Sequence, residues 1–313
     1  MAVEAPPAPP ARQVRPHRTG LTAGDRWRRR TPLMPALVLV VALTQIPLLL
    51  TLYYSTRSRN LLRPESGEFV GLANYGKVLG DPLFRNAVFN TVVLTASVVL
   101  LSMALGIVLA TLVDKRFLGR GIVRTLLITP FLVMPTAAAL LWKTSIYDPV
   151  YGLLNWVLSP FGVDNVEWVS QYPMISIIMV LIWQWTPFMM LIVLAGLQSQ
   201  SPEILEAAKM DGASELATFG YITLPHLRQF IELGILLGTI FIVHMIDPIF
   251  MITQGGPGQA TTNLPYFIYQ QAFRAFDVGE AAAAGVIVVI GTIVIATFAL
   301  RVISNLFREG ASR

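Results

Sequence analysis

Five stretches of this chain carry no charged residue: 31–56, 86–113, 125–142, 168–202 and 281–300. A helix crossing a bilayer needs about 20 largely apolar residues, so each stretch can hold one span, with 125–142 at the short limit. A sixth apolar stretch, roughly 229–251, is interrupted by Glu232 near one end and by His244 and Asp247 near the other. In hydrocarbon every backbone amide must bond within its own segment, which leaves helices as the spanning structure for runs of this length. The chain therefore reads as an all-α polytopic membrane protein with six transmembrane helices. Only 13% of its residues are charged, against about 25% in a soluble domain.

Six spans place both termini on one side. Lysine and arginine concentrate in cytoplasmic segments. With the first segment inside, the inner segments hold seven arginines in residues 1–30, then Lys115, Arg116, Arg120 and Arg124, then Lys209 and Arg228, then Arg301, Arg308 and Arg313. The loop from Arg57 to Arg85 runs against this trend with five cations, but the bias over all 23 puts both ends in the cytoplasm. Residues 1–32, rich in Pro, Ala and Arg without apolar period, read as a disordered basic tail beside anionic lipid rather than a nucleic-acid-binding arm. No small-residue cleavage site after an apolar core marks a removable signal. Residues 308–313 form a second, short tail.

Several chemistries are excluded. There is no cysteine, hence no disulfide, thiol nucleophile or cysteine-held metal, and only three histidines. No G-x-x-x-x-G-K-[ST] phosphate loop occurs, and "GGPGQATT" lacks the lysine. No G-x-S-x-G or H-E-x-x-H is present. The chain reads as non-enzymatic, with no cofactor of its own.

Between the fourth and fifth spans lies "EILEAAKMDGASELATFGYITLP", residues 203–225, with four carboxylates and one lysine. Ser201 is placed to cap a helix, Pro202 suits its first turn, and Glu203 and Glu206 suit the positive end of its dipole. The helix is expected to run to about Met210 and stop at Asp211-Gly212, where glycine can adopt the left-handed conformation. A second short helix is expected from Ser214 to before Pro225. Ala207, Ala208, Gly212 and Ala213 leave room at the bend for another backbone.

The run Glu206-Ala207-Ala208, Asp211-Gly212-Ala213, Phe219 and Leu224-Pro225 resembles the EAA loop of permease subunits of bacterial ATP-binding-cassette importers. The resemblance spans residues 33–307 and is strongest to the carbohydrate-uptake branch typified by the larger maltose permease. "DPIFMITQGGPGQATTNLPYFIYQQAF" resembles that branch's outer-loop signature, and this region with the last span is most similar to polyol permeases such as those for mannitol or sorbitol. It implies a bacterial inner-membrane subunit forming half of an alternating-access pathway. Its implied partners are a second, homologous permease, two ATPase subunits that bind ATP and Mg2+, and an extracytoplasmic solute-binding protein. Residues 201–225 would contain the cytoplasmic coupling helix, with Glu206, Ala207, Asp211, Gly212 and Ala213 at the ATPase contact and Glu206 pairing a basic group.

Polar groups within spans are costly and mark pathways. In "IWQWTPFMM", Gln184 and Thr186 offer hydrogen bonds, Trp183, Trp185 and Phe188 offer flat apolar faces, and Pro187 frees a carbonyl. That mixture suits a polyhydroxy solute, whose hydroxyls need partners and whose CH faces stack on rings. His244 and Asp247 lie near the outer face of the fifth span, and the resemblance adds Met245. No lysine or arginine sits deep in a span, which favours a neutral solute. Three alternatives are an ion-driven secondary transporter using Asp247, an importer permease for a non-carbohydrate solute, and a membrane scaffold. The outer stretch 142–173 reads as an interfacial loop with a short surface helix and tryptophan anchors, and "TQGGPGQATTNLPY" as an ordered turn without helix.

Overall fold

The computed structural model describes residue 32 and residues 34–63, 65–115, 117–163 and 165–311, without the side chains of 299, 300 and 302–311. Apart from residue 32, the basic tail read at 1–32 lies outside the described residues. Contacts divide the chain into Met1–Leu50 and Thr51–Arg313. The first unit holds most of α1 (Met34–Ser55), whose side chains up to Leu50 are apolar except for Thr44 and Gln45 and almost all exposed.

The second unit is built on α2 (Ala73–Gly80), α3 (Pro82–Asp114), α4 (Arg120–Leu132) and α5 (Pro135–Leu141), the last continuing as a wider π-helical turn over Trp142–Ile146. There follow α6 (Leu153–Leu158), α7 (Trp168–Gln171), α8 (Pro173–Gln198), α9 (Pro202–Met210), α10 (Glu215–Thr218), α11 (Leu224–Val243), α12 (Leu264–Phe273) and α13 (Val278–Ala311). Among the described residues five helices are long and apolar enough to cross a membrane, or six if the bent pair Arg120–Leu132 and Pro135–Ile146 is one span. The six stretches read from the sequence are these.

Helix α3 shows how local sequence sets the ends. Asp81 accepts a hydrogen bond from the Leu83 amide at 2.8 Å, and Pro82 follows where no amide donor is needed. The 33 residues of α3 extend about 50 Å at 1.5 Å per residue, longer than the hydrocarbon core. One face of α3 packs on α8 and α11, where Val98, Val99, Met103, Leu181, Met189, Met190, Ile231 and Ile235 are buried together. Lipid is as apolar as these side chains, so close packing rather than water exclusion holds the helices. Gly106 permits the approach, since a Cβ there would lie 2.8 Å from Met189 Cβ and 2.9 Å from the Met190 amide nitrogen.

The third span is not straight: its two arms meet at 98°. Pro135 disfavours helix at the residue before it, and both Val133 and Met134 are extended, with ψ of 133° and 132°. The fifth span also differs from expectation. Pro225 does not end a separate helix, because the π-helical turn Phe219–Thr223 carries the chain from α10 into α11 and Pro225 falls in the first turn of α11. At its far end α11 stops at Val243 rather than near 251, and Pro248 precedes a further π-helical turn, Ile249–Thr253.

After the fifth span, the turn 254–263 is ordered as expected, with Gln254, Gly255 and Gly258 at positive φ. Helix resumes at Leu264, earlier than "TTNLPY" suggested, because the Asn263 side chain caps the Tyr266 amide at 3.0 Å and Pro265 suits the first turn. Asn86 and Asn90 of α3 donate to the Gln259 carbonyl at 2.8 and 3.0 Å, pinning this turn. In the segment 142–173, α6 is a short helix where one was expected, and Trp156 on it is 72% exposed. Trp142 and Trp168 are not anchors of that kind: Trp142 packs on Tyr147 and Trp183, and Trp168 donates to Asn155 at 2.8 Å. The backbone of α13 runs on to Ala311, through most of the segment read as a tail.

Candidate functional site: a charged inner helix and a polar break in the spans

The helix α9 begins at Pro202 and ends at Met210, as its sequence dictates. Ser201 occupies the cap position with extended backbone but makes no side-chain cap bond, so Pro202 and the acidic first turn define the start. The end is a double closure: the Ala213 amide donates to Ala208 O at 3.0 Å and the Gly212 amide to Lys209 O at 3.1 Å, the 6→1 and 5→2 pair of a Schellman stop. Gly212 has φ +78°, and a Cβ there would meet nothing within 4 Å. The glycine thus answers to backbone conformation, not to crowding within this chain.

Glu206, Ala207, Asp211 and Gly212 are exposed, Ala213 is half-buried, and Ala208 is the buried member of the small-residue set. Around them Ile204, Met210, Leu216 and Tyr221 are exposed as well, Met210 at 88%, an apolar fringe that reasoning from charge passed over. Behind α9 lies a cleft of about 340 Å³, lined among others by Asp114, Lys115, Gln200, Lys209, Ala213 and Glu215. One ion pair crosses its mouth, Lys115 to Glu215 at 3.3 Å. Among the described residues the Glu206 carboxylate has no partner.

The pathway candidates separate onto two faces of α8. Trp183, Thr186 and Pro187 line an apolar groove of about 540 Å³ with Leu105, Leu127 and Trp142, and Thr186 turns its hydroxyl back to Ile182 O at 2.7 Å. Trp185 and Phe188 face the other way. Phe188 stacks on Phe131 at 5.3 Å, Trp185 stacks on Phe241 at 5.6 Å, and Phe131 meets Trp185 edge-on at 5.7 Å. Phe131 and Phe241 were not legible as site residues, because a single aromatic in an apolar span carries no signal of its own.

Gln184 is 3% exposed and donates through Nε2 to Val133 O at 2.9 Å, while its Oε1 has no partner. Next to it Trp185 is 7% exposed, and its Nε1 likewise lacks a partner. Buried polar atoms are nearly always satisfied, so one free acceptor and one free donor on adjacent residues require an explanation. His244 is exposed, its Nδ1 2.7 Å from Ile240 O. Met245 packs on the main core and its carbonyl accepts from Asn263 at 2.7 Å. Asp247 accepts from Thr136 Oγ1 at 2.9 Å, across to the outer arm of the broken span. Among the described residues no group of three or more His, Asp or Glu is disposed to hold a metal ion.

Residues 102–309 match the family described as binding-protein-dependent transport system inner membrane component. Similar proteins include a probable ABC transporter permease, y4oQ, of Sinorhizobium fredii, 37% identical over 89% of each chain. The trehalose/maltose transport system permease protein MalF of Thermococcus litoralis is 33% identical over 86% of this chain and 90% of its own. Trehalose transport system permease protein SugA of Mycobacterium tuberculosis is 30% identical over 87% of each. In fold, the chain superposes on a bacterial ABC transporter involved in the import of alginate with a TM-score of 0.76, at 21% identity, over 91% of this chain and 96% of that one. The chain is thus a multi-pass membrane protein of the binding-protein-dependent transport family, a permease subunit of an ABC importer.

Proposed function

We propose that this permease forms half of the translocation pathway for a neutral carbohydrate, a polyol, sugar or small oligosaccharide, and works by alternating access. The observation that carries the reading is the pair of free groups at the centre of α8. Gln184 Oε1 and Trp185 Nε1 are an acceptor and a donor left open in an apolar interior, beside the aromatic faces of Phe131, Phe188 and Phe241. A polyhydroxy solute supplies both missing partners and presents CH faces to the rings. The names of the trehalose/maltose and trehalose relatives point the same way.

In this reading both termini are cytoplasmic, α9 is the coupling helix, and Glu206, Ala207, Asp211, Gly212 and Ala213 meet an ATPase subunit. The partners are a second permease, two ATPase subunits carrying ATP and Mg2+, and a solute-binding protein outside. A relative in fold has been seen with a pentasaccharide-bound periplasmic protein, which supports the last. ATP binding closes the ATPases, the coupling helices of the two permeases move as rigid bodies, and the cavity opens outward; hydrolysis returns it. The test is ATP turnover by the reconstituted complex with its binding protein and a panel of neutral polyols and sugars beside anionic sugars. One solute raising turnover identifies the ligand class, whereas stimulation by anionic solutes alone overturns the neutral assignment.

A further inference from the structure

The break in the third span leaves the carbonyl of Val133 without the amide four residues on that a continuous helix would supply. Unpaired carbonyls within a membrane are costly and are satisfied from neighbouring helices. Here the neighbour is Gln184 of α8, through Nε2 at 2.9 Å. One residue beyond Pro135, Thr136 Oγ1 donates to Asp247 Oδ1 at 2.9 Å, just past the end of α11. Two side chains from two other spans therefore converge on four consecutive residues, 133–136, and both reach them from the very segments read as pathway.

We infer that Gln184 and Asp247 are positioning residues for transport, which lock the broken span at its bend so that its outer arm, Pro135–Ile146, is carried with α8 and the end of α11. This rests on the importer reading given above. The bend has no stiffness of its own, since Val133 and Met134 are extended and a helix interrupted for two residues is a hinge. The far end of the arm is also held, by Trp142 against Trp183 and by Lys143 Nζ donating to Met251 O at 3.0 Å, so loss of either bond loosens the arm at its bend, and movement of α8 then dissipates in part in the hinge instead of shifting the arm as one piece. Gln184 gains a second role from its geometry: the amide whose nitrogen holds Val133 is the one whose oxygen is free. A solute hydroxyl on that oxygen bears directly on the latch.

The chain has no cysteine, so spin labels can be placed at T125C and T144C, exposed positions on the two arms, in the assembled transporter in lipid nanodiscs. A single narrow distance is expected for the parent. T136V, D247A and Q184M each broaden it, the T136V/D247A pair no more than either alone, while T136S and D247N keep it narrow because donor and acceptor survive. In uptake, T136V lowers the maximal rate about tenfold with KM moved less than about twofold, the signature of a step after binding, and T136S restores it. Narrow, unchanged distances in T136V, D247A and Q184M overturn the inference, as does additive broadening in the pair. The distances are read without solute, so failure of the importer reading shows separately, as a parent complex whose ATP turnover no solute raises.

Discussion

Lys115 Nζ lies 3.3 Å from Glu215 Oε2 and so joins the C-terminal end of α3 to the first residue of α10, just beyond the bend at Gly212. Both side chains are largely exposed. A pair of this kind contributes about 0–1 kcal/mol and is screened by salt. K115A, E215A and the double variant are therefore expected to unfold within about 2 °C of the parent, as a surface pair of that worth implies. A thermal scan of the purified complex at low and high salt checks this, and a larger shift in all three would assign the pair a structural role.

Gly212 separates conformation from contact. With φ +78° and free space around it, G212A is expected to cost about 1 kcal/mol through backbone strain alone, and G212N less, since asparagine tolerates the left-handed region. If coupling requires close approach of an ATPase subunit at this point, G212N and G212D lose solute-stimulated ATP turnover while the spans stay folded. Retained stimulation in G212D would count against contact at this position.

Gly106 is a point of close approach between α3 and α8. In G106L the added side chain meets Met189 and the Met190 backbone at once, and overpacking of this kind costs about 1–3 kcal/mol or more. G121A is the control, because nothing lies within 4 Å of a Cβ there. Yield and melting temperature in detergent should fall for G106L only.

Trp185 tests the solute reading. W185F keeps an aromatic ring against Phe241 and Phe131 and removes the indole donor together with part of the ring surface. A site that hydrogen-bonds its ligand loses about tenfold in affinity when one neutral bond of about 1.4 kcal/mol disappears. Uptake kinetics of W185F should show that rise in KM, and an unchanged KM would exclude the indole N–H from the contact.

Asp148 opens the outer loop segment. The amides of Tyr151 and Val150 donate to its carboxylate at 2.8 Å each and hold its pKa below the ordinary carboxylate value. A lowered folded-state pKa means that the stabilisation is present above the unfolded value and is lost as pH falls through the folded one. Hydrogen exchange of the Val150 and Tyr151 amides should thus rise relative to neighbouring amides only at pH below the usual aspartate range, and D148A should show the rise at neutral pH.

Apolar stretches of spanning length, five free of charge and one interrupted by Glu232 and Asp247, determined the number and order of the spans, since a bilayer admits long apolar runs only as helices. Short-range chemistry likewise determined α9: Pro202, the acidic first turn and Gly212 act within a few residues of themselves, so the helix from Pro202 to Met210 was legible in the chain. Tertiary structure decided the rest. Pro135 marks an interruption, but its angle and the bonds that hold it come from Gln184 and Asp247, 51 and 111 residues away from the groups they reach. Pro225 read as a stop locally and became the first turn of a span, because a π-helical turn before it absorbs the mismatch. Which face of α8 carries Thr186 and which carries Trp185 was equally invisible, since both sit in one apolar run. Their environments are set by α3, α4 and α11 packing against them, a long-range arrangement that no pattern along the chain encodes.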